Sequence, residues 1–384
     1  MQPFRFQTTK SVIVEPGGAK QLGALMAELG CRNVLLVTDP GIMSAGLADT
    51  ALASFAGAGL AVSLFTEVEA DPPEALILKA VAHATENQVD GVVGFGGGSS
   101  MDVAKLVAFL LGSAQSLEEI YGIDMCRGER APLALVPTTA GTGSEVTPIA
   151  IVTTGASEKK GVVARQLLPD WAVLDADLTL GLPTKITAAT GIDAMVHAIE
   201  AYTSKIKKNP ISDCLAIKAL SLLGGNIRVA CRDGGNREAR GNMLVGSMLA
   251  GMAFTNAPVA AVHALAYPLG GHFHVSHGLS NSLVLPHVIR FNMPSARDAY
   301  ATLAPIIFED LTAASAGDAA SEMATRFADL ADDLGLETQL RQVGVSENQI
   351  PMLAEDAMRQ TRLLVNNPRE VSYEDAVEIY GQAL

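Results

Sequence analysis

Strand and helix patterns alternate through the first 180 residues, and helical patterns alone fill the rest of the chain. In the first part, short apolar runs rich in β-branched residues are separated by stretches with helical spacing. The clearest runs are NVLLVTD, LAVSLF, GVVGFGG, APLALVPTT and WAVLDAD. This alternation predicts a parallel sheet covered by helices on both faces. Short strands are also predicted at FRFQ and SVIVEP, and a hairpin at TPIAIVTTG and KKGVVARQLL.

The pattern changes near residue 181, beyond which strand signals nearly vanish. Apolar residues then recur at helical spacing in a series of segments. These segments are PTKITAATGIDAMVHAIEAYTS, ISDCLAIKALSLLGGNI, NREARGNMLVGSMLAGMAF, VAAVHALAYPLGGHF, AASEMATRFADLADDLG, NQIPMLAEDAMRQ and YEDAVEIYGQAL. We therefore predict an α/β domain over residues 1–180 and an all-helical domain over residues 181–384.

Charge and cysteine content exclude several classes of protein. A net charge of −14 leaves no basic stripe to neutralise phosphates, which argues against a nucleic-acid partner. The 4 cysteines have no CxxC spacing and fit neither a disulfide framework nor a sulfur-ligated zinc site. The N-terminal MQPFRFQTTK lacks the apolar core of a secretory signal, so we expect a cytoplasmic protein.

Residues 241–289 contain no Asp, Glu, Lys or Arg, and an uncharged run of this length raises the question of a membrane span. The run also contains several asparagines, prolines and glycines. It holds most of the 7 histidines of the chain, namely His263, His272, His274, His277 and His287. Because a lipid-facing helix would not carry that polar load, we predict a buried protein interior and no membrane partner.

Two loops that follow predicted strands are candidates for nucleotide binding. GFGGGSSMDVAK (94–105) opens a helix, where glycines let backbone N–H groups approach a pyrophosphate. It departs from GxGxxG because Ser99 stands at the third glycine position, and a tight turn without a ligand is the alternative. PTTAGTGSEVT (137–147) packs hydroxyls into a short loop that suits phosphate or ribose oxygens.

Asp39 follows the strand NVLLVT. A carboxylate there is suited to hydrogen-bond ribose hydroxyls and would repel a 2′-phosphate, which favours NAD over NADP. The alternative is a turn residue preceding Pro40.

Four residues of the second part of the chain form a candidate metal site. Asp193 and His197 lie four apart on a predicted helix and therefore share one face. His263 lies on another uncharged helix, and His277 follows in the turn-like SHGLSN. One carboxylate and three imidazoles suit Fe²⁺ or Zn²⁺. Each histidine taken alone is more often a satisfied core residue than a ligand, but an unpaired buried Asp193 would be costly without a cation.

Four segments together resemble the iron-containing (group III) alcohol dehydrogenases, and the resemblance covers essentially the whole chain. They are GGGSSMDVAK, PTTAGTGSEVT, GIDAMVHAIEAY and HALAYPLGGHFHVSHGLSNS. The resemblance implies a Rossmann-like N-terminal domain, an all-helical C-terminal domain of the dehydroquinate synthase-like type, and an active site in the cleft between them. It also implies a small alcohol or aldehyde substrate, NAD, Fe²⁺ and a homodimer, while ligand chemistry alone also permits Zn²⁺.

The resemblance assigns roles to individual positions of this chain. Asp193, His197, His263 and His277 match the metal ligands, through which they would act in catalysis. The matching cofactor positions are Asp39, Gly97, Gly98, Ser99, Thr138, Thr139, Thr147 and Lys160. Phe254 falls at a substrate-pocket position.

The chain departs from the family pattern at two positions. Many members have His four residues after the third ligand, where this chain has Tyr267. A phenol is a poor base near neutral pH, so we predict that Tyr267 is not an essential base. Asp71 replaces the Asn of a Pro-Asn-Pro turn near the adenosine end of the cofactor.

We predict a metal-dependent, NAD(H)-linked oxidoreductase that interconverts a small alcohol and its aldehyde or ketone by hydride transfer. A maleylacetate reductase of aromatic degradation is the alternative, because those enzymes share the fold and loops. They generally lack the metal-ligand set, all of which is present here. A binding protein without activity would have no reason to retain two nucleotide loops and four ligands.

Overall fold

The computed structural model describes residues 3–155 and 158–384. The chain forms two compact units. One unit comprises residues 7–139 and 143–180, and we call it the α/β unit. The other comprises residues 181–384 with two short stretches, 3–6 and 140–142, and we call it the helical unit.

A six-stranded parallel sheet forms the centre of the α/β unit, with strand order β1-β9-β6-β4-β2-β3. Its strands are β1 (Ser11–Val14), β2 (Asn33–Val37), β3 (Ala61–Phe65), β4 (Gly91–Gly96), β6 (Leu133–Pro137) and β9 (Trp171–Leu174). A smaller sheet has the order β5-β8-β7, with β5 (Gly122–Ile123), β7 (Ile149–Thr154) and β8 (Glu158–Val163). Strands β7 and β8 are antiparallel, so the predicted hairpin is present.

Helices cover both faces of the large sheet. They are α1 (Leu22–Glu28), α2 (Pro40–Ser44), α3 (Asp49–Gly57), α4 (Glu74–Glu86) and α5 (Gly98–Gly112). Alternate residues of β2 belong to separate cores. Leu35 packs in a cluster with residues of α4 and α5, and Leu36 packs in a second cluster with residues of α1 and α3. Because both faces are apolar, the strands read as continuous hydrophobic runs, and the predicted parallel sheet is confirmed.

The helical unit contains nine α-helices in the described part of the chain. They are α6 (Thr184–Thr203), α7 (Pro210–Arg232), α8 (Arg237–Asn256), α9 (Ala261–Phe273), α10 (His277–Ile307), α11 (Ala316–Asp333), α12 (Ile350–Met358), α13 (Thr361–Leu364) and α14 (Tyr373–Ala383). Residues at the N-terminus of α7 show how the local sequence determines where a helix begins. Asn209 caps α7 by accepting a hydrogen bond from the Ser212 N–H, and Pro210 occupies the first helical position.

Two local predictions are wrong. Residues 4–7, FRFQ, form no strand; among the described residues, the first strand begins at Ser11. The SHGLSN segment is not a turn, because His277 is the first residue of the 31-residue helix α10. Gly278 and Ser280, which favour turns in isolation, are buried there, and a Cβ at Gly278 would lie 2.4 Å from the Ala189 carbonyl oxygen. Tertiary packing therefore overrides the local turn signal.

Helix α7 is long and apolar enough to cross a membrane by length and composition alone. Helices α8 and α9 pass the same test only when taken together, and they meet at a bend of 107°. These two helices account for the first part of the uncharged segment. Core helices of globular proteins pass this test as well, so the finding is weak evidence for a span.

Candidate metal centre and nucleotide loops

Helix α6 presents Asp193 and His197 from one face, one turn apart. Both are almost fully buried, at 2% and 5% exposure. The helix packs closely on its neighbours because it has small residues at the contacts. A Cβ at Gly191 would lie only 2.7 Å from the Met243 side chain of α8. Such close packing leaves little freedom in the position of the helix that carries Asp193 and His197.

Helices α9 and α10 bring the remaining two histidines close to Asp193 and His197. His263 lies in the first turn of α9, and His277 begins α10. One ligand atom from each of Asp193, His197, His263 and His277 lies within 4.8 Å of every other. The His263 side chain is 3% exposed, whereas that of His277 is 41% exposed. The structure thus gathers all four residues of the sequence-predicted site, and water reaches the group at His277.

Asn281 also contacts this group, and no sequence pattern singled it out. It is one turn after His277 and fully buried. Its Nδ2 donates to Asp193 Oδ1 at 2.6 Å and lies 3.4 Å from His263 Nε2 and 3.3 Å from His277 Nε2. Three acceptor atoms therefore converge on one donor, and the Asn281 Oδ1 has no partner among the described residues. Converging acceptor lone pairs are the arrangement that a cation requires.

Electrostatics favour an ionised carboxylate beside neutral imidazole in this group. Burial lowers the pKa of His197 from 6.5 to about 3, so this imidazole is neutral at neutral pH. Burial opposes ionisation of Asp193, but the neighbouring imidazoles and the Asn281 hydrogen bond outweigh it, so the pKa of Asp193 lies below its ordinary value. Neutral imidazole and ionised carboxylate are the protonation states that bind divalent metals.

Two further predicted residues lie against the histidines. The Phe254 ring stacks on the His197 ring, with centroids 4.4 Å apart and an interplanar angle of 18°. The Tyr267 ring centroid lies 6.0 Å from that of His277. Tyr267 also lies one turn after His263 on α9, as the spacing predicts. The Phe254 ring thus covers one side of the group, and the Tyr267 phenol lies near the exposed His277.

Glu200 is a second residue that the sequence reasoning missed. It follows His197 by three residues within GIDAMVHAIEAY, so it lies on the same side of α6. Its carboxylate accepts hydrogen bonds from the His263 Nδ1 at 2.6 Å and from the Val262 backbone N–H at 2.7 Å. That helical spacing was the available signal, since it adds a second carboxylate to the same face.

The predicted cofactor residues follow three strands that are neighbours in the sheet. Asp39 follows β2, Gly97 follows β4 and Thr138 follows β6, with β4 in the middle. All three strands are parallel, so these residues meet at one edge of the sheet. Open parallel sheets bind ligands at this carboxyl edge.

The glycine-rich turn leaves room for a ligand close to its backbone. Gly96 has a φ of +150°, and a Cβ there would lie 2.7 Å from Ser100 Oγ and 3.3 Å from Asp39 Oδ2. A Cβ at Gly97 would lie 3.7 Å from Thr139 Oγ1. Glycine is therefore required at Gly96, by its backbone conformation and by the short distance to Ser100, whereas a Cβ at Gly97 would make only an ordinary contact.

Helix α5 begins at Gly98 with Gly97 as its N-cap and no side-chain cap. The first-turn N–H groups of a helix have no partner within the helix and carry partial positive charge. Gly98 and Ser99 stand in this first turn, which suits a pyrophosphate. The α/β unit therefore fits the dinucleotide implied by the sequence.

The remaining cofactor candidates have different surroundings. Asp39 is the N-cap of helix α2, and its Oδ1 accepts a hydrogen bond from the Ile42 N–H at 3.0 Å. Thr147 is buried and its hydroxyl faces Lys105 at 3.2 Å. Lys160 lies on β8 of the small sheet, 43% exposed, with its Nζ 3.8 Å from Glu158.

The fully buried Lys105 joins the two candidate nucleotide loops, a link that the sequence reasoning did not recognise. The Lys105 Nζ on α5 donates to Ser144 Oγ at 2.6 Å and to the Ile149 carbonyl oxygen at 2.7 Å. Asp102, three residues earlier, accepts from Ser144 Oγ at 2.7 Å and from the Ile151 N–H at 3.0 Å. Burial lowers the pKa of Lys105. Asp102 and Lys105 therefore join α5 to the Thr-rich loop at Ser144 and to strand β7.

Comparison with known proteins agrees with this architecture. Residues 9–176 match the model for iron-containing alcohol dehydrogenase, and residues 187–384 match that for the Fe-containing alcohol dehydrogenase family, C-terminal. Long-chain-alcohol dehydrogenase 1 of Geobacillus thermodenitrificans is 38% identical over 370 residues, covering 96% of this chain and 93% of the relative.

Solved structures agree as well. A crystal structure of 1,3-propanediol oxidoreductase has a TM-score of 0.96 at 35% identity and covers 100% of both chains. Sulfoacetaldehyde reductase from Bifidobacterium kashiwanohense, solved in complex with NAD⁺, has a TM-score of 0.88 at 28% identity, covering 100% of this chain and 99% of that chain.

The sheet edge, the four-ligand group and these matches define an enzyme of the alcohol dehydrogenase class. The chain belongs to the family of iron-containing alcohol dehydrogenases. The family resemblance, the fold class and the alcohol–aldehyde oxidoreductase activity expected from the sequence are thereby confirmed. Membership implies the use of a metal and of NAD.

Proposed function

We propose that the helical unit holds one divalent metal through Asp193, His197, His263 and His277, and that residues 1–180 bind NAD(H). The single observation that carries this proposal is the convergence of four ligand atoms within 4.8 Å in a buried group. In the α/β unit, three loops meeting at one sheet edge support the assignment of the dinucleotide.

The metal we propose is Fe²⁺, on the strength of the family, although Zn²⁺ accepts the same donors. When bound, a divalent cation supplies Lewis acidity to the substrate oxygen. Asp193 supplies the negative charge of the site, and His197 remains neutral because it is buried. Phe254 shields the histidines from water on one side, and substrate enters where His277 is exposed.

We propose NAD rather than NADP as the cofactor. The Asp39 Oδ1 is engaged by the Ile42 N–H, and the carboxylate stands beside Gly96 at the edge where the loops meet. A 2′-phosphate there would meet a like charge. The resemblance to a sulfoacetaldehyde reductase solved with NAD⁺ supports the same choice.

The substrate we propose is a small or moderately apolar alcohol, or its aldehyde. Relatives carry names that specify a long-chain alcohol, 1,3-propanediol and sulfoacetaldehyde. The Phe254 ring provides an apolar surface against His197 of the ligand group. We further propose a homodimer in a reducing cytoplasm, in which the four cysteines stay free, as they are in the structure.

The test is a spectrophotometric panel of short and long alcohols and aldehydes at 340 nm, run without air after loading with Fe²⁺ or Zn²⁺. We expect turnover with at least one alcohol–aldehyde pair, and none in the metal-free protein. His263→Ala should lose metal and activity together while NADH binding persists. Turnover with maleylacetate but with no alcohol would favour the alternative enzyme, and a fully active metal-free protein would refute the proposed metal site.

A further inference from the structure

Glu200 contacts one of the proposed ligands through the ring nitrogen that does not face the ligand group. Its Oε2 lies 2.6 Å from His263 Nδ1, and His263 Nε2 lies on the side of Asp193 and Asn281. Glu200 is 3% exposed and His263 is 2% exposed, so water does not compete for this contact. A hydrogen bond between buried partners is stronger and more directional than one at the surface.

The same carboxylate also fixes the backbone that carries His263. Helix α9 begins at Ala261, and its N-cap, Ala260, provides no side-chain cap. The Glu200 Oε1 accepts the hydrogen bond of the Val262 N–H, which has no partner within the helix. One carboxylate on α6 therefore holds both the start of α9 and the imidazole that projects from it.

An ionised Glu200 sets the tautomer of His263. Both oxygens of a carboxylate can only accept, so Oε1 accepts from the Val262 N–H and Oε2 can only accept from the ring. His263 Nδ1 must then carry the hydrogen, which leaves Nε2 with its lone pair directed at the ligand group. Carboxylates that hold metal-ligating histidines in this way tune both orientation and basicity.

We propose that Glu200 is a positioning residue for the metal site, which holds His263 in its Nδ1–H tautomer and orients Nε2 toward the metal. The proposal rests on the ligand set under "Proposed function". Charge supports it, because Asp193 and Glu200 together balance a divalent cation in a buried site where an uncompensated charge would be costly.

Glu200→Gln is the sharpest variant, because it keeps the size of the side chain and removes one acceptor. Glutamine offers one oxygen and one NH₂ group, whereas Val262 N–H and His263 Nδ1–H both require an acceptor. One contact must break, or the imidazole must change its tautomer. Glu200→Asp keeps the charge but shortens the reach, and it serves as the second variant if Glu200→Gln does not fold.

Zn²⁺ affinity is measured by competition with a chromophoric chelator, on metal-free protein that circular dichroism shows to be folded. We expect Glu200→Gln to bind Zn²⁺ about 10- to 100-fold more weakly than wild type, with NADH affinity unchanged. The Zn²⁺ affinity of Glu200→Asp should lie between those of wild type and Glu200→Gln. The urea midpoint of each metal-free protein is recorded in parallel, so that loss of the helix cap is measured separately.

Asp175→Asn is the matched control. Asp175 is also a buried carboxylate that accepts backbone hydrogen bonds, from Gly17 and Ala19, but it belongs to the α/β unit. We expect it to lower the urea midpoint and leave Zn²⁺ affinity unchanged. If Glu200→Gln lowers only the urea midpoint, with Zn²⁺ affinity within threefold of wild type, Glu200 is merely a cap and the inference is wrong. If His263→Ala also retains wild-type Zn²⁺ affinity, the ligand set itself has failed.

Discussion

At the scale of single residues, contacts between distant parts of the chain determine chemical roles that neighbouring residues do not reveal. The sequence predicted the four ligands because Asp193 and His197 show helical spacing and the family motif adds two histidines. It could not predict that Asn281 would reach Asp193 across 88 residues, or that Glu200 would reach His263 across 63. These contacts depend on the packing of α6, α9 and α10, which no local pattern specifies.

Tyr267 is the residue at which this chain departs from many relatives. We expect Tyr267→Phe to keep kcat/KM for alcohol oxidation within about tenfold of wild type, because phenols ordinarily titrate near pH 10 and are poor bases at neutral pH. The rise of activity with pH should persist in the variant. Steady-state rates between pH 6 and 10, with metal content measured on the same samples, provide the check. A loss of about a thousandfold with metal retained would show that the phenol is catalytic.

Asp39 combines a helix cap with a charge, and the two roles can be separated. Asn caps helices as well as Asp does, so Asp39→Asn should preserve α2 while removing the charge. We expect the ratio of kcat/KM for NADPH to that for NADH to rise about tenfold or more, because like-charge repulsion is lost. Asp49→Asn, at an exposed position in the same unit, is the control and should leave the ratio unchanged. Equal use of both cofactors by the wild type would reduce Asp39 to a structural cap.

Glu145 makes the stability of the α/β unit depend on pH. Burial raises its pKa from 4.5 to about 7, so between these values the folded chain holds a proton that the unfolded chain has lost. The contribution of Glu145 to the free energy of unfolding is therefore fully present below about pH 4.5. It falls by on the order of 3 kcal/mol as the pH rises through about 7. Glu145→Gln should remove this decline. Urea midpoints at pH 5 and pH 8 test it, with the exposed Glu86→Gln as a control that should behave as wild type.

At the scale of elements, the alternating strands and helices were predictable because each has a clear spacing of apolar residues and is bounded by residues that end it, such as glycine and proline. Strand β4 reads as GVVGFGG because both its faces are buried, and its final glycines allow the turn into α5. Helix α10 was missed at its start because Gly278, Ser280 and Asn281 resemble a turn. The contacts of Gly278 and Asn281 with α6 are long-range effects, and three prolines together with a kink at Ala296 obscure the helical pattern of α10 further.

The hydrogen bonds that join α5 to the Thr-rich loop and to strand β7 give a prediction about cofactor binding. Lys105→Met keeps a long unbranched side chain but removes the hydrogen bonds to Ser144 and Ile149, and it leaves a buried carbonyl without its donor. We expect the Kd for NADH to rise about tenfold or more while Zn²⁺ affinity stays at the wild-type value. Fluorescence titration with NADH measures the first quantity, and chelator competition measures the second.

Lys79→Met is the matched control for this variant. Lys79 is exposed on α4 and pairs with Glu67 at the surface, so its loss should leave both affinities unchanged. Unchanged NADH affinity in Lys105→Met would show that the buried lysine has no influence on the cofactor loops.

At the scale of the whole molecule, the proposed function assigns a separate ligand to each unit, and ligands that bind the folded state raise its stability. Saturating Zn²⁺ at about 1,000 times its Kd should add about 4 kcal/mol to the stability of the protein. We expect the thermal midpoint to rise with Zn²⁺ and, independently, with NADH. His263→Ala should abolish the shift with Zn²⁺ and keep the shift with NADH. Scanning calorimetry at fixed protein concentration measures both, and a persistent Zn²⁺ shift in the variant would place the metal elsewhere.

The pairing of β1 with β9 has a consequence for how the chain folds during its synthesis. Strand β1 is made first, yet its partner in the sheet lies 160 residues later, at Trp171–Leu174. Translation proceeds at about 5–20 residues per second, so the first strand waits for on the order of ten seconds before its neighbour emerges from the ribosome. Strands β2, β3, β4 and β6 can assemble in the meantime, and β9 is then inserted between β6 and β1. The entropic cost of closing that long loop is therefore incurred only after β9 has been made. Insertion of β9 is the step that completes the native strand order of the α/β unit.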